Sequence, residues 1–328
     1  MSPHARPPFG RVLTAMVTPF DADGAVDTAA AARIATHLVD NDHDGLVIFG
    51  TTGESPTVSA PEQEAVLRAV VEAVGTRASV VAGVGSYDTS HALSLARTAE
   101  ASGADGLLAV TPYYSKPPQE GILAQFKAIA DASGLPVMLY DIPGRTGTKL
   151  AADTLARAAE HPRIVAVKEA SGDLFAGSWL LRSTDLVLYS GDDALNLAWL
   201  AVGAVGVVSV VGHVAGPQYA AMVAAVDSGD LQRAREVDRA LLPVVDAIMN
   251  RTQGAIMAKA ALELQGHLDN RVVRLPLVQA SDAQVEELRR DLTAAGMLGA
   301  TDGAAPGPRA ADADHTARPS QSLQKGTV

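Results

Sequence analysis

The stretch Ile164-Val165-Ala166-Val167-Lys168-Glu169-Ala170-Ser171-Gly172-Asp173 decides how the rest of the chain reads. Its first four residues are apolar and mostly β-branched, the composition of a strand buried on both faces. Lys168 sits near the end of that strand. Burial disfavours an ammonium ion, so a lysine here is costly unless it is paired or has a chemical task. A desolvated lysine becomes a free amine near neutral pH and can attack a carbonyl to form a Schiff base. A lysine paired with an acidic neighbour at the rim of a sheet is the plainer alternative.

Runs of the same kind recur on both sides of it, at 12–17, 45–49, 80–84, 106–110, 137–141, 186–190 and 206–210. With 164–169 they make eight. Amphipathic, Ala-rich segments such as 61–74, 90–102, 120–132, 152–160 and 194–202 lie between them. Strands alternating with helices imply parallel βα units, and eight units in roughly 220 residues is the pattern of an α/β (β/α)8 TIM barrel. An open doubly wound sheet is the other reading. It usually carries a glycine fingerprint after its first strand, and Val17-Thr18-Pro19-Phe20 has none. Past the eighth run only helical patterns follow, at 216–227, 231–249, 253–264 and 282–295. The expected organisation is a flexible N-terminus over 1–8, a barrel over 9–228, a small C-terminal helical appendage over 229–298 and a disordered tail over 299–328, where Ala, Gly, Pro, Asp, Ser and Thr dominate.

Composition narrows the class. The net charge of −11 argues against nucleic acid and anionic membrane surfaces as partners. The absence of cysteine removes disulfides, thiolate metal sites and thiol nucleophiles together. The start Met1-Ser2-Pro3-His4-Ala5-Arg6-Pro7-Pro8 lacks the apolar stretch of a signal peptide, and no run approaches the length of a membrane span. A soluble cytoplasmic protein is expected. No GxxxxGK[ST], GxSxG or HExxH pattern occurs, and Gly83-Val84-Gly85 lacks a third glycine. Nothing calls for a metal or a cofactor.

In a barrel, chemistry collects where strands end and βα loops begin. Those positions carry Gly50-Thr51-Thr52-Gly53-Glu54-Ser55, Thr111-Pro112-Tyr113-Tyr114, Tyr140-Asp141-Ile142-Pro143-Gly144-Arg145-Thr146-Gly147, Lys168-Glu169, Ser190-Gly191-Asp192-Asp193 and Val207-Val208-Ser209. Of the six lysines (116, 127, 149, 168, 259 and 325), only Lys168 falls at a strand end; Lys259 falls on a late helix. Lys168 shares the period-two face of Ile164 and Ala166, expected to be the barrel interior. Tyr140 is the natural proton shuttle for Schiff-base chemistry, or else a packed barrel tyrosine. Thr51 and Thr52 could bind a small carboxylate through hydroxyls and backbone N–H groups, or merely form a turn. They are not needed as a helix cap, because Ser59-Ala60-Pro61-Glu62 is a capping box of its own. Arg145 offers a planar fork for a second carboxylate, or is a solvated surface arginine.

Four of these motifs in order at the ends of strands two, four, five and six resemble the 4-hydroxy-tetrahydrodipicolinate synthase (dihydrodipicolinate synthase) family. It belongs to the pyruvate-dependent class I aldolases, which include N-acetylneuraminate lyase. The resemblance runs from about Phe9 to Leu298. It implies that Lys168 captures pyruvate as a Schiff base and that Tyr140 donates and accepts protons. Thr51 would link Tyr140 to Tyr114, which in the family enters the neighbouring subunit's site. Thr52, Val208 and, at the end of strand seven, Gly191 would bind pyruvate, and Arg145 would hold the carboxylate of L-aspartate 4-semialdehyde. The enamine of pyruvate would attack that aldehyde, a step of lysine and diaminopimelate biosynthesis, in a homotetramer built as a dimer of dimers.

Two departures stand out. The family commonly has Asn where this chain has Asp141. Some members bind lysine as a feedback inhibitor, using polar and acidic groups at positions that match Ala60, Gln63, Tyr87 and His91. Ala, Tyr and His are poor acceptors for an α-amino group, so weak or absent lysine inhibition is expected. Two other functions fit the barrel: a sister aldolase acting on N-acetylneuraminate or a 2-keto-3-deoxy sugar acid, and an inactive keto-acid sensor. Arg145 favours the synthase over the first, and Lys168, Tyr140, Thr51 and Tyr114 together argue against the second.

Overall fold

Strand-forming runs of four to six residues close into a parallel barrel in sequence order, and the last strand pairs with the first. The computed structural model describes residues 7–298. The strands are β1 (Val12–Ala15), β2 (Gly45–Ile48), β3 (Ser79–Gly83), β4 (Gly106–Val110), β5 (Val137–Asp141), β6 (Ile164–Glu169), β7 (Val187–Ser190) and β8 (Gly206–Ser209). The helices on the outside are α1 (Thr28–Asp40), α2 (Ala60–Val74), α3 (Thr89–Ala101), α4 (Gln119–Asp131), the single turn α5 (Pro143–Thr146), α6 (Ala152–Ala159), α7 (Leu174–Ser183), α8 (Asn196–Val202) and α9 (Gly212–Asp227). The appendage adds α10 (Leu231–Val245), α11 (Gly254–Leu264) and α12 (Asp282–Ala294). This is the (β/α)8 barrel the alternation predicts. The tail expected over 299–328 and the first six residues of the expected N-terminal extension lie outside the described residues.

Alternation along each strand divides the core in two. Phe9, Leu13, Ala15, Val47, Val81, Leu108, Met138, Tyr140, Ala166, Val187, Tyr189 and Val208 fill the barrel interior. Their neighbours in the chain, such as Leu46, Leu107, Leu139, Val167 and Leu188, face the helices. Ile164 departs from expectation. It packs in the outer layer, whereas Ala166 points inward. The cause is a bulge: the β5–β6 register runs Val137↔Ile164 and then Met138↔Ala166, skipping Val165. The period of two resumes after the bulge, so Ala166 and Lys168 share the inner face.

Ends shift for identifiable reasons. Phe49, expected within β2, has φ 60°, a left-handed conformation that cannot continue a strand. The expected helix 231–249 becomes a π-turn at Asp246–Asn250, three residues after Pro243 removes a helix donor. The capping box of α2 is present, with the Glu62 carboxylate accepting from the Ser59 N–H and hydroxyl, each at 2.8 Å.

Candidate active site

Strands β5 and β6 lie side by side and set Tyr140 opposite Lys168. Both side chains point inward, and the Lys168 ammonium nitrogen stands 4.3 Å from the centre of the Tyr140 ring. Lys168 is 4% exposed. Burial pulls its amine down to about 8; Asp193 opposes that shift and Arg145 adds to it. Burial pushes the Tyr140 phenol up to about 12, partly offset by Arg145 and by the Thr51 side chain on the same cavity wall. An amine that can lose its proton therefore sits against a phenol that keeps its own.

Gly191 makes room for this lysine. A Cβ at that position would fall 2.8 Å from Lys168 Cγ and 2.9 Å from Cε. Its N–H also donates to the Glu169 carbonyl at 2.7 Å, drawing the end of β7 against β6.

A cavity of about 230 Å³ opens at the strand ends, and its wall includes Thr51, Tyr113, Tyr140 and Arg145. Arg145 is carried there by the α5 turn, which Pro143 starts and the left-handed Gly147 (φ 73°) ends. Thr52 and Val208 are buried and, like Lys168 and Gly191, do not line this cavity; Val208 belongs to the interior cluster that also holds Tyr140. Tyr114 lies elsewhere. It is 90% exposed with φ 69°, while its neighbour Tyr113 takes the place on the cavity wall and meets Tyr87 edge to face at 5.4 Å.

The sequence of the whole chain points the same way as this geometry. The sequence profile of the Dihydrodipicolinate synthetase family matches residues 8–295. The chain belongs to this family. A 4-hydroxy-tetrahydrodipicolinate synthase from Kineococcus radiotolerans is 60% identical over 88% of this chain and 94% of its own length. Among solved structures, a dihydrodipicolinate synthase from Cyanidioschyzon merolae with lysine bound superposes with a TM-score of 0.85 at 44% identity, covering 89% of this chain and 100% of that one. A monomeric dihydrodipicolinate synthase variant superposes equally well, with a TM-score of 0.85 at 38% identity over 89% and 98% of the two chains.

Two residues of this dihydrodipicolinate synthetase-family barrel are visible in the sequence but receive no role from it. One is Asp193, whose buried carboxylate accepts from Tyr219 Oη at 2.9 Å, Asn196 Nδ2 at 3.1 Å, the backbone N–H groups of Val210 and Val211, and the Ser209 hydroxyl. It supplies the negative charge that favours the Lys168 ammonium. Its only sequence signal is an acid two residues past Gly191. The other is Lys259, fully buried on α11 and paired with Glu54. Its signal was there: Lys259 is the one charge in the apolar run 254–262.

Proposed function

We propose that this chain condenses pyruvate, held as a Schiff base on Lys168, with L-aspartate 4-semialdehyde to give 4-hydroxy-tetrahydrodipicolinate, the lyase reaction of lysine and diaminopimelate biosynthesis. The observation that carries the reading is Lys168 itself: a buried amine drawn down to about 8, set against Tyr140. The free amine adds to the pyruvate ketone, and loss of water from the carbinolamine leaves an iminium. Loss of a methyl proton gives the enamine, whose carbon attacks the aldehyde. The amino group of the acceptor then closes on the imine carbon and releases Lys168. Tyr140, protonated at neutral pH and in contact with Thr51, hands protons in and out of these steps.

Arg145 on the cavity wall supplies a cation for the acceptor's carboxylate; the family resemblance assigns the pyruvate side to Thr52, Val208 and Gly191, which lie off that wall. A sister aldolase with a polyol acceptor would want neutral donors where Arg145 stands. That difference, with 60% identity to a named synthase, supports the synthase.

The assembly that fits is a homotetramer, a dimer of dimers in which Tyr114 reaches a neighbour's site. Its support is a tyrosine displayed outward in a left-handed conformation, together with exposed Phe175 and Trp179 on α7. A cytoplasmic location agrees with the described residues, in which no helix is long and apolar enough to cross a membrane.

Pyruvate with borohydride, followed by peptide mapping, tests the chemistry. The adduct is expected on Lys168, forming faster as pH rises through about 8, and none is expected in Lys168→Ala, whose activity falls at least about a thousandfold. An adduct on another residue overturns the assignment.

A further inference from the structure

Beneath the loop that carries Thr51 and Thr52 lies an ion pair that the chemistry above does not use. Lys259 Nζ donates to Glu54 Oε1 at 2.5 Å, and both side chains are 1% exposed. Glu54 belongs to the loop after β2; Lys259 belongs to α11 of the appendage. A second donor bond fixes the ammonium to the Val272 carbonyl at 2.7 Å, and the same nitrogen lies 4.1 Å from the Phe20 ring centre. Glu54 Oε2 in turn accepts the Arg274 backbone N–H at 2.9 Å. The Arg274 guanidinium stacks over the same Phe20 ring at 4.4 Å and donates to the Thr57 carbonyl at 2.6 Å. Both ends of the loop's exit are thus gripped from the appendage.

The loop cannot relax away from that grip. Glu54 has φ 52°, strained for a residue with a side chain. Gly53 is pressed on the end of β2, where a Cβ would come 2.9 Å from the Phe49 nitrogen, and its carbonyl accepts the Thr18 hydroxyl at 2.7 Å. Thr51 and Thr52 are the residues immediately before these two fixed points. Stability alone is a weak reason for such a pair, because desolvating two ions offsets most of their attraction and apolar residues can do as well. An ion pair supplies direction, which apolar contact does not.

We propose that Lys259 and Glu54 are positioning residues, through which the C-terminal appendage holds Thr51 and Thr52 where the pyruvate site needs them. The proposal rests on the reading of those threonines given above.

The test compares wild type, E54Q and the double variant E54Q/K259M by thermal unfolding, steady-state kinetics and pyruvate–borohydride trapping. E54Q keeps the shape and one of the two acceptor atoms. The double variant leaves no lone buried charge, which is the event that unfolds half-broken pairs. The double variant is expected to fold cooperatively near the wild-type melting temperature, and E54Q, which leaves Lys259 buried without its counter-ion, to melt lower. The expected kinetic result is a KM for pyruvate raised at least tenfold in the double variant and less in E54Q, with trapping slowed in the same order. Wild-type KM and trapping rate in either folded variant, with a normal adduct on wild-type Lys168, overturn the positioning role alone. No adduct in the wild-type protein overturns the reading of the site and the positioning role with it.

Discussion

Asp141 follows Tyr140 on β5, and the period of the strand turns it out of the barrel interior toward α6 and α7. There it is 3% exposed beside Glu169, with its Oδ1 accepting the Leu150 N–H at 3.2 Å. Burial, with Glu169 adding to it, takes its carboxyl up to about 7. The native state therefore holds a proton between about pH 4 and 7 that the unfolded chain has already lost, so stability falls as pH rises through that window. Asp141→Asn keeps the acceptor and removes the titration. It is expected to be close to wild type at about pH 4 and more stable at pH 8, by up to about 4 kcal/mol. Urea unfolding at the two pH values checks this, and equal midpoints for both proteins at pH 8 would defeat it. Gly191 gives a sharper test of the site. Ala there must displace the Lys168 stem or the end of β7, costing about 1–3 kcal/mol of overpacking. Trapping of pyruvate should slow at least about tenfold, because a small displacement of a reacting group is felt strongly in rate. A glycine-to-alanine variant with wild-type trapping would show that the stem has room.

At the scale of elements, the barrel was legible because its strands are short apolar runs at regular intervals with helical periods between them. What was not legible follows from local geometry that periodicity does not carry. Ile164 was placed on the inner face by a period of two, and one bulge at Val165 moves it to the other. Phe49 reads as strand by composition, yet its backbone is left-handed. Lys168 could be singled out because a lysine inside a strand breaks the pattern. Lys259 breaks its helix in the same way, but its meaning lies in a partner 205 residues earlier. Helix starts bear on regulation. The positions matching the family's lysine site sit at the beginnings of α2 and α3. Ala60 and His91 are exposed there, the Gln63 amide already donates to the Val58 carbonyl at 3.0 Å, and Tyr87 is occupied against Tyr113. None is a free anion for an α-amino group. Lysine is therefore expected to leave the rate unchanged at sub-millimolar concentration, and half-inhibition in that range would contradict it.

The whole molecule poses a different question, which Tyr114 makes answerable. Within one chain this phenol is on the surface and off the cavity wall. If it completes a neighbour's proton relay, a chain lacking Lys168 can still lend its Tyr114. Tyr114→Phe alone should lower activity by about a hundredfold or more, the scale of a lost proton-transfer partner. Lys168→Ala alone should be inactive. Co-expressed in equal amounts, half of the isologous pairs would be mixed, and each mixed pair would contain one site with both groups. About one quarter of all sites would then be intact, so the mixture should reach about a quarter of wild-type activity, well above either parent. A monomeric relative with the same fold makes the contrary outcome physically real. If Tyr114 served only its own chain, or if the chains did not associate, the mixture would equal the average of its two parents. Light scattering on the same samples separates those cases: a tetramer without complementation would leave the assembly standing and remove Tyr114 from the relay.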